Sequence, residues 1–212
     1  MLAFPIKKRY HTLGDVMKKV VEMAHDLLWS AQECDGVYAD FTCGNGFDTC
    51  FLAGFDQVKR VYAFDIQEEA LMETKHKLIL AKLRDRCELI LDGHEHMEEY
   101  IKEPLTAGIF NFGYLPHGDP GITTKLSTSR VAVEKALKLL KKHGILILVI
   151  YPGHEAGKLE SRYFSNWIKE LDSHVFSAMS IRMENKQDAP YLLVVEKQRE
   201  KGDYNGNKSS AV

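Results

Sequence analysis

Apolar residues recur along this chain with two different periods. Val16, Val20, Ala24, Leu27 and Leu28 are spaced for one face of a helix over 12–31, with Thr12 as its cap. Five short β-rich runs follow, Val37–Phe41, Arg60–Phe64, Cys87–Leu91, Ala107–Asn111 and Ile145–Ile150. Between them the period lengthens again. Leu71, Leu78 and Ala81 share a face of a helix over 67–84, and Val133, Ala136, Leu137 and Leu140 share a face of one over 124–142. Strands alternating with helices predict an α/β fold with a mostly parallel, doubly wound sheet and helices on both faces. After a last helix over 156–171, the runs Val175–Arg182 and Tyr191–Lys197 flank a polar segment ending in Pro190, which predicts a C-terminal antiparallel hairpin and a seven-stranded sheet.

Composition narrows the class without changing this picture. A chain of 212 residues, 45% hydrophobic and 27% charged, is long enough for a single globular domain over 1–198. From Arg199 onward, 199–212 has no periodicity and few apolar groups, so a disordered tail is expected there. With 28 Lys+Arg against 30 Asp+Glu, the net charge is −2, and a nucleic-acid partner would have to be held by a local basic surface. Cys34, Cys43, Cys50 and Cys87 form no CxxC pair, which disfavours disulfides and zinc and points to a reducing, cytoplasmic location. The apolar run Ile145–Tyr151 is far shorter than the ~20 residues that span a bilayer, so no membrane segment is expected.

The chemistry-bearing residues collect at predicted strand ends. The first strand ends at Asp40 and enters Phe41-Thr42-Cys43-Gly44-Asn45-Gly46-Phe47-Asp48, where two close glycines allow the backbone to approach a ligand ahead of a helix N-terminus. Asp65 ends the second strand at about the interval where a carboxylate meets the ribose of a nucleoside cofactor. Asp92, followed by Gly93 and His94, ends the third. Singly, these acids and glycines also suit helix caps and turns; three acids at consecutive strand ends favour a ligand crevice. Thr49 stands where a dinucleotide fingerprint needs its third glycine, and an acid beside the turn repels a pyrophosphate. Asp40, Asp65 and Asp92 suit the cationic S-adenosylmethionine better.

The fourth strand ends in Asn111-Phe112-Gly113-Tyr114 and opens a long loop containing His117 and Asp119 before Thr124 and Lys125. Asn111 and Tyr114 resemble the ends of the Asn-Pro-Pro-Tyr signature of amino-group methyltransferases, with Phe112-Gly113 in place of Pro-Pro. The motifs Asp40–Thr49, Ala63–Gln67, Asn111–Asp119, Ile122–Lys125 and Tyr151–His154 together resemble the YtqB-like, or MnmM, methyltransferases, a family also labelled rRNA methylases, from about Leu27 to Lys197. Two departures stand out: Phe47 replaces a common His, and Tyr151-Pro-Gly-His-Glu155 replaces Tyr-His-Gly-His-Pro.

The resemblance implies a Rossmann-like class I methyltransferase that methylates the aminomethyl group on the wobble uridine of tRNA, engaged near the anticodon by a homodimer. It assigns Asp40, Gly44 and Gly46 to the amino-acid end of S-adenosylmethionine, with Thr42, Cys43, Asn45 and Asp48 also binding the cofactor. Asp65, Ile66 and Gln67 fall to its ribose, and Asp92, Gly93 and His94 to its adenine. Asn111 and Tyr114 would act on the amine, with His154 either accepting a proton or structuring its turn. Gly113, His117, Asp119, Thr124, Lys125 and Arg130 would meet the RNA. The alternatives are methylation of an rRNA nucleoside, a nicotinamide dehydrogenase, and a non-catalytic RNA- or cofactor-binding protein.

Two further patterns carry less. Asp92-Gly-His94-Glu-His96 has metal-ligand residue types, but no distant histidine cluster completes it, and no metal is expected. Lys135, Lys138, Lys141 and Lys142 recur at helical spacing, which predicts a solvated basic face on the helix over 124–142.

Overall fold

A computed structural model describes residues 19–113 and 121–200. The described chain runs α1 (Val20–Ser30), β1 (Gly36–Asp40), α2 (Phe47–Ala53), β2 (Val58–Asp65), α3 (Glu68–Leu80), β3 (Cys87–Leu91), β4 (Leu105–Asn111), α4 (Leu126–Leu139), β5 (Leu140–Ile150), α5 (Glu155–Trp167), β6 (Phe176–Ile181) and β7 (Tyr191–Lys197). A 3-10 helix, His94–Glu99, replaces an α-helix between β3 and β4. The sheet order is β3-β2-β1-β4-β5-β7-β6. Only β7 runs against its neighbours, which is the predicted closing hairpin.

Successive strand residues point to opposite faces, so the sheet carries two cores. Val37, Ala39 and Phe41 face a core completed by Ala132 and Val133 of α4 and Phe164 of α5, while Tyr38 faces another completed by Ala24 and Leu28 of α1 and Leu52 of α2. A row of rings stiffens the first core: Phe41 stacks on Phe110 with centroids 4.4 Å apart, and Phe112 stacks on Phe164 at 5.2 Å. Each such buried ring contributes about 2–3 kcal/mol by its burial alone. The chain winds outward from β1 to β3, then returns to place β4 on the other side of β1. This reversal opens a crevice above the carboxyl ends of β1 and β4, where ligands of doubly wound sheets bind.

Two predicted boundaries shift. Lys19 is extended (ψ 152°), so α1 begins at Val20 and not at the predicted residue 12; Val16 and Thr12 themselves lie outside the described residues. The helix predicted over 124–142 ends at Leu139, because Leu140 turns extended (ψ 133°) and pairs with Leu105. Leu140 is 1% exposed and fits the core from a strand as well as from a helix, so apolar periodicity could not separate the two. Lys141 and Lys142 therefore lie in β5, and the predicted basic stripe does not form on one helix. Lys141 instead pairs with Glu33, and Lys135 with Glu98 at 3.2 Å.

Candidate active site

Phe41, Gly44, Asp65, Asp92, His94 and Asn111 line a cavity of about 290 Å³ at the strand ends, closed on its far side by Thr123, Thr124 and Lys125. Its first wall is the glycine turn. Gly44 and Gly46 take φ of 46° and 75°, the left-handed conformation that glycine adopts without cost. A Cβ on Gly46 would also sit within 2.6–2.9 Å of Thr74. The turn is tied down by its own backbone: Gly46 N–H donates to the Cys43 carbonyl at 2.7 Å, and the Thr74 hydroxyl and Lys77 ammonium cap the carbonyls of Gly44 and Asn45. Asp65 joins this turn to the second strand end, accepting from Gly44 N–H at 2.9 Å and Gln67 N–H at 3.0 Å. With the Ile66 N–H as a third donor, its carboxylate still keeps acceptor capacity toward the cavity.

Asp40 has a different place. It is fully buried and does not line the cavity; its carboxyl accepts from Thr42 N–H at 3.2 Å and the Thr49 hydroxyl at 2.6 Å. Burial first, and then the charge of Asp48, push its carboxyl up to about 8. Cys43 is buried against Thr74 with its thiol held protonated by burial and nearby acids, which excludes a thiolate nucleophile at neutral pH. Neither Cys43, Asn45, Gly46 nor Asp48 lines the cavity.

At the third strand end, Asp92 accepts from Gly93 N–H at 2.7 Å, His96 at 2.8 Å and the Tyr100 hydroxyl at 2.9 Å, contacts that hold its carboxyl below the usual range, with His96 the largest cause. His94 turns the other way. Its Nδ1 lies 3.1 Å from the Phe41 carbonyl, which can only accept, so Nδ1 carries the proton and Nε2 is an acceptor. That Nε2 is buried with no hydrogen-bond partner among the described residues, and burial holds the ring neutral. The described residues hold no group of three His, Cys, Asp or Glu placed for a metal ion, and no helix among them is long and apolar enough to cross a membrane.

The opposite wall is built from side chains. The Asn111 amide donates through Nδ2 to Asp48 and accepts at Oδ1 from the Tyr151 hydroxyl at 3.3 Å, while its backbone N–H donates to the Thr42 hydroxyl at 2.7 Å. Burial and the Asp48 charge push the Tyr151 phenol up, so it keeps its proton and donates. Asp48 in turn meets His25 of α1 at 2.5 Å. Below the cavity mouth, Gly113 and Thr124 close the base of the intervening loop: each donates its N–H to the other, at 2.9 Å, through the Gly113 carbonyl and the Thr124 hydroxyl. Buried Glu160 accepts from both the Thr124 hydroxyl (3.1 Å) and the Ser129 hydroxyl (2.6 Å), which clamps that base between α4 and α5.

Residues 61–197 match the family described as putative rRNA methylase. The chain belongs to this family. A relative from Arabidopsis thaliana, the chloroplastic tRNA (mnm(5)s(2)U34)-methyltransferase, is 33% identical over 191 residues, covering 83% of this chain and 68% of its own. A putative rRNA-methylase from Clostridium thermocellum is 37% identical with a TM-score of 0.82, over 86% of this chain and 100% of that one. A putative methyltransferase from Streptococcus mutans, in complex with SAH, is 36% identical with a TM-score of 0.78, over 85% of this chain and 99% of that one. The Rossmann-like methyltransferase fold expected from the sequence is thus the fold of the family.

Of the residues singled out in this family member's sequence, Thr42, Gly44, Asp65, Ile66, Gln67, Asp92, Gly93, His94, Asn111, Gly113, Thr124 and Lys125 meet around one cavity. Tyr114, His117 and Asp119 lie outside the described residues. Arg130 is exposed on α4 beside the Tyr163 hydroxyl, away from the cavity lining. His154 caps α5: its Nδ1 accepts from Gly157 N–H at 3.2 Å, which supports turn structuring over proton acceptance. His25 and Glu160 are absent from the sequence motifs, and Tyr151, although it opens the Tyr151–His154 motif, has no role assigned there. Glu160 had a signal of its own, a carboxylate four residues before Phe164 on the buried face of α5.

Proposed function

We propose that this protein methylates the 5-aminomethyl group of the wobble uridine in tRNA, with or without a 2-thio group, to give 5-methylaminomethyl-(2-thio)uridine. The observation that carries the reading is the Asn111 amide. Its N–H₂ faces a carboxylate, and its oxygen, which accepts from the Tyr151 hydroxyl, has a second lone pair for a donor in the cavity. An amine N–H is such a donor, and an amine so held keeps its lone pair for attack. The 33% identical relative named for the same modification supports the substrate.

The residues fit S-adenosylmethionine, which supplies, when bound, a methyl group on a sulfonium. Asp65 keeps acceptor capacity for a ribose hydroxyl, and the orphaned His94 Nε2 suits the exocyclic amine of adenine. Gly44 and Thr42 reach the cavity from the glycine turn, while Asp40 acts from beneath by holding that turn. The target amine has to arrive neutral; its lone pair then forms the N–C bond as the C–S pair stays on sulfur, and a proton is shed to solvent. Catalysis is chiefly placement, with no covalent enzyme intermediate. Lys125 at the cavity rim and exposed Arg130 are the RNA phosphate contacts in this reading. It also holds that the protein engages the anticodon region as a homodimer in the cytoplasm.

The family description favours one second substrate, an rRNA nucleoside. Nucleoside mass spectrometry on cells with and without the protein separates them. Loss of 5-methylaminomethyluridine with build-up of its aminomethyl precursor is expected; unchanged tRNA with a missing rRNA methyl mark would transfer the assignment to rRNA.

A further inference from the structure

The cofactor cradle does not account for the way α1, which stands outside the βα repeats, sends a histidine to the helix after the glycine turn. The His25 ring stacks on Phe51 with centroids 3.9 Å apart and planes 5° from parallel, and its Nε2 lies 2.5 Å from Asp48 Oδ1. The stack sets the plane of the ring, and the hydrogen bond sets its rotation. Asp48 is itself 7% exposed, and its second oxygen accepts from Asn111 Nδ2.

An asparagine side chain has nearly the same shape after a half-turn about its last bond, so shape alone cannot decide which end of Asn111 serves the amine. A carboxylate can only accept, so the end of the amide beside Asp48 has to be Nδ2; the Tyr151 phenol can donate or accept and is satisfied by the orientation that Asp48 imposes. The reversed amide would put N–H donors against the amine, where they would bond the very lone pair that has to attack.

We propose that Asp48, held by His25, is a positioning residue that locks Asn111 with its oxygen toward the target amine, so that α1 is part of the methyl-transfer apparatus. The turnover side of this inference rests on the amine-methyltransferase reading above; the orientation side does not. Both residues precede residue 61, where the family match begins.

Two measurements on the full chain test it. In ¹⁵N NMR without substrate, the Asn111 side-chain amide protons should exchange slowly in the wild type, exchange fast in Asp48→Asn, and shift in His25→Ala but much less in His25→Gln, which can still donate. In steady-state transfer to aminomethylated tRNA, Asp48→Asn should lower kcat about tenfold while both KM values stay within about twofold. Added to Asn111→Ala, it should change kcat by less than about twofold, because the group it orients is gone. An Asn111 amide signal indifferent to both substitutions would overturn the proposal, as would losses that multiply in the double variant. Should the NMR coupling hold while the wild type leaves aminomethylated tRNA untouched, the substrate is wrong and the positioning role stands. His25→Gln keeps the test open if Asp48→Asn fails to fold.

Discussion

At the end of the cavity proposed for the cofactor, the groups are a glycine turn tied down by its own backbone and the carboxylates of Asp65 and Asp92 at two neighbouring strand ends, with Asp40 buried beneath. At the end proposed for the target amine they are side chains drawn from α1, α2, the tip of β4 and the residue after β5: His25, Asp48, Asn111 and Tyr151. The first construction is local, and most of its hydrogen bonds would survive the loss of any one side chain. The second is a chain in which each group fixes the next. A single substitution at the amine end should therefore cost chemistry while binding persists, whereas one at the cofactor end should cost binding or stability.

The comparison is broken most directly at Asn111. Asn111→Ala should reduce single-turnover methyl transfer on the order of 10²-fold while S-adenosylmethionine affinity, read by calorimetry, stays near wild type. A parallel loss of cofactor affinity would mean that the two ends are one unit. The complementary substitution, Asp65→Ala, leaves ribose hydroxyls and the amides of Gly44 and Gln67 without an acceptor. It should weaken cofactor binding by about 1–3 kcal/mol, and turnover at saturating cofactor should fall far less. Undiminished binding would remove Asp65 from the ribose.

Gly46→Ala sharpens the claim that the cofactor end is made by backbone. The new methyl has to occupy both a φ of 75° and space within 2.6–2.9 Å of Thr74, so a loss of about 2 kcal/mol in unfolding free energy is expected, with weaker cofactor binding. Pairing it with Thr74→Ser, which removes one of the atoms in collision, should restore part of that loss. Chemical denaturation of the single and double variants measures both.

Locality also explains what could be read in the sequence. The glycine turn, Asp65 and Asp92 were legible because their spacing follows from strand, turn and helix lengths, and the alternating sheet was legible because burial on both faces writes itself as short apolar runs. The boundary at Leu140 was not, since a buried leucine serves helix and strand alike. His25 and Tyr151 were not either: they meet Asp48 and Asn111 across 23 and 40 residues of chain, and a lone His or Tyr carries no mark of a distant partner. Asp40 and Asp48 were legible as acids near the turn but not as buried ones. Only the packed structure shows that Asp40 faces the Thr42 amide and Thr49 hydroxyl and not the cavity.

That buried position yields the smallest and most specific expectation. A carboxyl pushed up to about 8 in the folded protein, against about 3.9 in the unfolded chain, binds more protons folded than unfolded between those values. Stability from this group is fully present below about pH 4 and is lost as pH rises toward 8, with a slope of at most about 1.4 kcal/mol per pH unit. Asparagine mimics the protonated acid, with one acceptor for the Thr42 N–H and a donor for the Thr49 oxygen, and it cannot ionise. Asp40→Asn should therefore gain on the wild type steadily between pH 5 and pH 8 in unfolding free energy, whatever constant offset separates them at pH 5. Two parallel pH profiles would show that Asp40 ionises at an ordinary pKa, with the Thr42 amide and Thr49 hydroxyl solvating its charge well enough to outweigh burial and the repulsion from Asp48.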